Sequence, residues 1–126
     1  SSEAAGLDVH AAIDSPVVLE PGDMTKIPLG FAMAIPQGFE AQIRPRSGLS
    51  SRYGITLPNA PGTIDSDYRG EVLIPLINLG RESFTVEPGM RVAQMVIAPV
   101  VQAVVQEVEA LDVTDRGAGG FGSTGR

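Results

Sequence analysis

Chemistry is most concentrated in NAPGTIDSDYRGEV, residues 59–72, which holds Asn59, two acids and a tyrosine within a few positions. Asp65 and Asp67 lie two apart, so in a strand they share a face, with Tyr68 on the other. One carboxylate could serve as a base beside an aromatic ring. Asn59 carries a donor and an acceptor together, which lets an amide read a base edge. A hydrophilic acid–turn–acid loop is the plain alternative. Upstream, RPRSGLSSRYG sets Arg44 and Arg46 before a Ser-Gly pair, Ser47 and Gly48, that opens a helix. Free backbone N–H groups, a hydroxyl and a guanidinium could there converge on an anion; an ordinary capped helix fits the same letters. Asp8 follows a glycine at the start of a strand in AGLDVHAA, and Gln94 sits among apolar neighbours in RVAQMVI with Arg91 near enough to be a partner. The sole histidine, His10, is read as structural.

These groups must be positioned by short β elements. Turn signals recur at EPG (20–22), PQG (36–38), EPG (87–89) and Gly80, with strand-like stretches between them. FAMAIP puts Phe31, Met33 and Ile35 on one face, and FEAQIRP alternates Phe39, Ala41 and Ile43 with polar residues. EVLIPLINL and RVAQMVIAPVV read as more fully buried strands. Their prolines, Pro75 and Pro99, belong at bulges or edges because proline cannot donate to a ladder. AVVQEVEAL also fits a helical stripe through Val104, Val105, Val108 and Leu111, but its β-branched residues favour a strand. Ser47 is expected to cap a helical turn or two that stops at Gly54. The expected architecture is an all-β, jelly-roll-like sandwich or barrel spanning 1–111, with one short helix. A polar linker and a flexible glycine-rich C-terminal arm follow, 112–126.

Length and composition agree with one domain of 126 residues, 43% of them apolar. No run approaches the roughly eighteen apolar residues of a membrane span. With no cysteine, disulfides, thiolate catalysis and Cys-based zinc sites are excluded. A net charge of −6 argues against nucleic acid as a partner. Every cation but Lys26 is arginine, the side chain whose planar fork matches phosphate oxygens. No basic-then-apolar leader is visible and the chain opens on serine, so residues before Ser1 are expected. An intracellular, cytoplasmic protein without a membrane partner is the corresponding expectation.

Each motif alone is weak, but AGLDVHAA, PRSGLSSRYG, NAPGTIDSDYRGEV, GMRVAQMVI and RGAGGFGSTG follow one another from Ala5 to Gly125. In that order the sequence resembles the homotrimeric deoxyuridine triphosphatase (dUTPase) family. The resemblance implies a hydrolase that converts dUTP to dUMP and pyrophosphate, keeping uracil out of DNA and supplying dUMP for thymidylate synthesis. It also implies a homotrimer whose three active sites lie between subunits. By position, Asp65 would orient and activate the attacking water and touch the sugar 3′-hydroxyl, with Gln94 at the reacting centre. Tyr68 would lie against the deoxyribose and leave no room for a 2′-hydroxyl. Asn59, with backbone groups of Gly62, Thr63 and Ile64, would read uracil. Asp8 would hold Mg2+ through a water; Arg46, Ser47 and Gly48 would contact the phosphates. Asp67 would pair with Arg91 as a support. In the arm, Arg116 would reach the γ-phosphate and Phe121 would stack on uracil. Ser123 and Thr124, with Gly119, Gly120 and Gly122, would complete the phosphate cage as a closing lid. Val9 and Thr63 depart from the family's usual residues at packing positions only. A dCTP deaminase, a silent nucleotide-sensing relative and a purely structural trimer are the rivals; the intact Asp65 and Phe-containing tail disfavour them.

Overall fold

Period-two burial builds the strands. In β4 (Phe39–Arg44) Ala41 and Ile43 are buried, and in β7 (Leu73–Asn78) Ile74, Leu76 and Asn78 are buried between more open neighbours. The structure is a computed structural model that describes residues 1–125; Arg126, the last residue of the expected arm, lies outside them. The remaining elements are β1 (Leu7–His10), β2 (Val17–Leu19), β3 (Met24–Pro28), α1 (Ser47–Tyr53), β5 (Ile55–Thr56), β6 (Gly62–Ile64), β8 (Phe84–Val86) and β9 (Arg91–Pro99). A four-stranded sheet runs β1-β9-β4-β6, a three-stranded one β3-β7-β5, and a ribbon pairs β2 with β8. All of these ladders are antiparallel. The sheets enclose one aliphatic core that includes Leu19, Ile43, Ile74, Leu76, Val86 and Val92. The chain is thus all-β with one short helix, as expected.

Both prolines sit where a ladder is one-sided. Pro75 pairs with Lys26 of β3, while β5 reaches only Ile77 and Asn78. Pro99 pairs with Phe39 of β4, while β1 stops at Met95. Neither missing N–H therefore interrupts a two-sided ladder.

Asn78 is fully buried, yet its amide is saturated: Nδ2 donates to Leu19 O (2.9 Å) and Glu82 O (2.8 Å), and Oδ1 accepts from Gly80 N (2.8 Å). A buried amide with every bond made ties β2, β7 and the following turn together. Beside it the C-terminus of α1 crosses the backbone of Gly80. Gly54, at φ +71°, ends α1 in the left-handed region, and a β-carbon there would lie 2.5 Å from Gly80 N.

Three expectations need correction. Ser47 does not cap α1: Arg46 is the N-cap, in extended conformation, with no side-chain cap hydrogen bond. FAMAIP is not a strand. Ile35 is buried and Phe31 and Met33 pack on the core, but the segment's tie to its neighbour is Val72 N donating to Phe31 O. Alternation there records burial, not pairing. AVVQEVEAL forms no strand within the chain either, and Val104 and Val105 are more than nine-tenths exposed. A strand needs a neighbour's N–H and C=O groups, and no ladder partner lies along this stretch among the described residues.

Candidate active site

One end of the four-stranded sheet gathers the first, second and fourth motifs. Register places Asp8 of β1 opposite Gln94 of β9, and Gln94 opposite Arg44 of β4. Facing residues on adjacent strands share a sheet face. Asp8 Oδ2 accepts from Arg91 Nη1 at 3.2 Å, and Arg46 Nε lies 3.7 Å from Asp8 Oδ1. Arg46 Nη1 also donates to Arg91 O at 3.3 Å. Gln94 Nε2 donates to Pro45 O (3.2 Å), which leaves its carbonyl oxygen free of protein donors among the described residues. Ser47 and Gly48 open α1 directly beyond. This corner holds two guanidiniums around one carboxylate and stays open to solvent, an arrangement that can receive an anion and still offer a carboxylate oxygen.

The β6 hairpin makes a second group. Asn59, Gly62, Thr63, Ile64, Asp65 and Tyr68 line a cavity of about 210 Å³ whose floor is aliphatic, with Ile43, Leu57 and Ile74. Gly62 has room for little else, since a β-carbon there would meet Asn59 Nδ2 at 3.3 Å. Around the bend, Tyr68 N donates to Asp65 O (3.2 Å), and Arg69 Nη1 donates to Ser66 O (2.7 Å) and Tyr68 O (3.0 Å). An aliphatic floor with an amide, a carboxylate and an aromatic wall suits a flat polar ring attached to a sugar.

The arm is the third group. Gly119 N donates to Arg116 O, Ser123 N to Gly120 O and Gly125 N to Gly122 O, and Arg116 Nε donates to Gly119 O at 2.8 Å. Phe121 is wholly exposed and stands in the left-handed region at φ +51°. Arg116, Gly119, Gly120, Phe121, Gly122, Ser123 and Thr124 surround a concavity of their own. Within one chain the three groups stay apart: neither the corner nor the arm contributes to the hairpin cavity. The expected Asp67–Arg91 pair is absent among the described residues. Arg91 pairs with Asp8 instead, and Asp67 lines an adjoining polar groove with Glu40, Ser66 and Arg69 that shares Thr63 and Asp65 with the hairpin cavity.

The sequence model of the dUTPase family matches residues 1–125. The chain belongs to the dUTPase family. It is 60% identical to the deoxyuridine 5'-triphosphate nucleotidohydrolase of Rhizobium etli, over 99% of this chain and 81% of that one. The dUTPase of Staphylococcus bacteriophage 80alpha, solved with dUPNHPP, superposes with a TM-score of 0.91 at 29% identity, covering 100% of this chain and 89% of the other. A mutant dUTPase from phage phi11 of S. aureus, 25% identical with a TM-score of 0.78, covers 88% and 87% and coordinates a structural Mg(II) ion. No helix among the described residues is long and apolar enough to cross a membrane.

Several residues around this dUTPase site escaped sequence reasoning. A β-carbon on Gly6 would lie 2.8 Å from Gln94 Oε1, so that glycine makes room for the Gln94 side chain. Arg44, opposite Gln94, is locked by Gln42, whose Oε1 accepts from Nη2 (2.7 Å) and Nε (3.2 Å). Arg44 was visible as the first arginine of RPRS; Gln42 and Gly6 carried no signal, because their significance is a contact made across strands.

Proposed function

We propose that the chain hydrolyses dUTP to dUMP and pyrophosphate, as a homotrimer whose sites draw on more than one subunit. The observation that carries this is the convergence of Asn59, Asp65 and Tyr68 on one cavity in a member of the dUTPase family. Asp65 orients a water and accepts its proton as the water oxygen bonds to the α-phosphorus in line. The bond from that phosphorus to the bridging oxygen breaks, and pyrophosphate leaves with the electron pair. Asn59 and the backbone of Gly62, Thr63 and Ile64 read uracil, because a wrong base leaves buried groups unpaired. Sites built this way discriminate by roughly 10⁴–10⁵. Tyr68 lies against the deoxyribose and excludes a 2′-hydroxyl. Arg46, Ser47, Gly48 and Gln94 hold the phosphate chain, with Arg91 as a support through its bond to Asp8.

The Asp8 corner fits Mg2+ as the cofactor. It offers a hard, solvent-open carboxylate oxygen, and among the described residues no cluster of three acids or histidines would enclose an ion. That donor set suits a cation that keeps its waters and takes its remaining ligands from phosphate. When bound, Mg2+ supplies charge neutralisation on the triphosphate.

The β body, 1–111, then forms the trimer, and the linker and arm, 112–126, close over a neighbour's site. Arg116 reaches the γ-phosphate, Phe121 stacks on uracil, and Ser123 and Thr124 with the arm glycines surround the phosphates. The separation of the three groups in one chain and the exposed apolar run before the arm support this reading. A cytoplasmic nucleotide pool is the corresponding setting. The test is Mg2+-dependent pyrophosphate release from dUTP, with dCTP, dTTP and UTP in parallel, beside sedimentation of the purified chain. Release from dUTP alone by a trimer is expected. Ammonia from dCTP would assign a deaminase, and dUTP binding without turnover a nucleotide sensor.

A further inference from the structure

We infer that Gly70 is a positioning residue for sugar selectivity, acting through the ring of Tyr68. The inference rests on the reading that Tyr68 is the wall against the sugar. A β-carbon built on Gly70 would lie 2.5 Å from Tyr68 Oη, 2.7 Å from Cζ and 3.1 Å from Cε2. These are its three nearest neighbours and all belong to the far end of the Tyr68 side chain, so a β-carbon here displaces that ring and not the backbone. Positive φ is not what calls for glycine here, since Gly70 is not among the positive-φ glycines. The ring therefore folds back over Gly70, where its hydroxyl donates to Glu71 O at 2.8 Å.

Tyr68 is nearly half exposed, so the core does not hold it. Its place in the cavity wall depends on three local restraints. The hydroxyl is tied to Glu71 O, the Tyr68 carbonyl is clamped by Arg69, and the flat side of Gly70 supports the ring. Adding one methyl at position 70 forces the ring to retreat by about 1 Å to reach ordinary contact. That shift strains the bond from Tyr68 Oη to Glu71 O. A wall that rejects one extra hydroxyl works only if it cannot yield, so a displaced ring loses selectivity before it loses turnover.

The test is a double-mutant cycle of Gly70→Ala and Tyr68→Ala, reading kcat/KM for dUTP and UTP in each variant. Gly70→Ala is expected to lower the dUTP-to-UTP ratio about tenfold, and to have no further effect on it once Tyr68 is alanine. An unchanged ratio in Gly70→Ala, or equal effects in both backgrounds, overturns the inference. If Tyr68→Ala itself leaves the ratio unchanged, the reading of Tyr68 as the sugar wall fails instead, which separates the two. Should Gly70→Ala lose its cooperative thermal transition, Tyr68→Phe cuts only the tie to Glu71. It should lower the ratio about threefold, and no change would again overturn the role of the restrained ring.

Discussion

The hairpin, residues 59–71, and the arm, residues 116–124, carry two of the three sets of groups assigned to the nucleotide, and they are held in opposite ways. Around the hairpin bend Tyr68 N donates to Asp65 O, Tyr68 Oη to Glu71 O, and Arg69 Nη1 to Ser66 O and Tyr68 O, over an aliphatic floor that belongs to the core. Among the described residues the arm bonds to itself and to Thr114 just before it, through single turns, with Phe121 in solvent. Recognition needs donors and walls set before substrate arrives, since their ordering then costs nothing at the moment of binding. Closure needs the reverse: a segment with no competing partner, free to be ordered by the ligand. Both regions use glycine, for different ends. In the hairpin it lets side chains approach, as at Gly62 and Gly70; in the arm Gly117, Gly122 and Gly125 supply positive φ.

The contrast can be broken most directly at Asp65. Asp65→Asn should lower kcat by about 10³-fold or more while dUTP still binds, because a positioned base contributes roughly 10²–10⁴. Isothermal titration beside steady-state kinetics would read both. Asn78→Ala strikes the frame at the other end of β7, away from the hairpin cavity. It orphans Leu19 O and Glu82 O and leaves a small void, so about 3 kcal/mol of stability should be lost in chemical denaturation. A loss under 1 kcal/mol would mean that water replaces the amide.

Stopping the chain after Asp115 tests the other region. The midpoint of thermal unfolding should not move, since among the described residues the arm makes no hydrogen bond to the body, while kcat/KM falls about 100-fold through lost positioning. A drop in the midpoint would show that the arm is part of the fold and not a closure element. Smallest, Phe121→Ala should raise KM about tenfold, the lower end of what stacking on a base is worth, and fluorescence titration with a dUTP analogue would check it.

The hairpin was legible from its letters because its chemistry is local: Asn59, Asp65 and Tyr68 reach one cavity through a single turn of chain. The corner was legible only in part. Asp8, Arg46, Arg91 and Gln94 were each named, but their pairing depends on β1 and β4 flanking β9, a matter of strand order across 80 residues of chain. That is why Arg91 was assigned to Asp67 and is found on Asp8. The same limit explains FAMAIP and AVVQEVEAL. Alternation predicts which side chains seek cover, but a ladder also requires a neighbouring backbone with free bonds; among the described residues FAMAIP meets only Val72 and AVVQEVEAL has no such neighbour.

By itself, then, the sequence determined the residue types, their order and the β character of the body, because hydrophobic period, turn residues and motif spacing act over a few positions. Tertiary structure alone decided which strands adjoin, that Arg46 and not Ser47 is the N-cap of the helix, and that Gln94 and Tyr68 occupy the space a β-carbon on Gly6 and Gly70 would take. Those outcomes turn on contacts between distant segments and on the space left by a missing β-carbon, neither of which leaves a periodic trace along the chain.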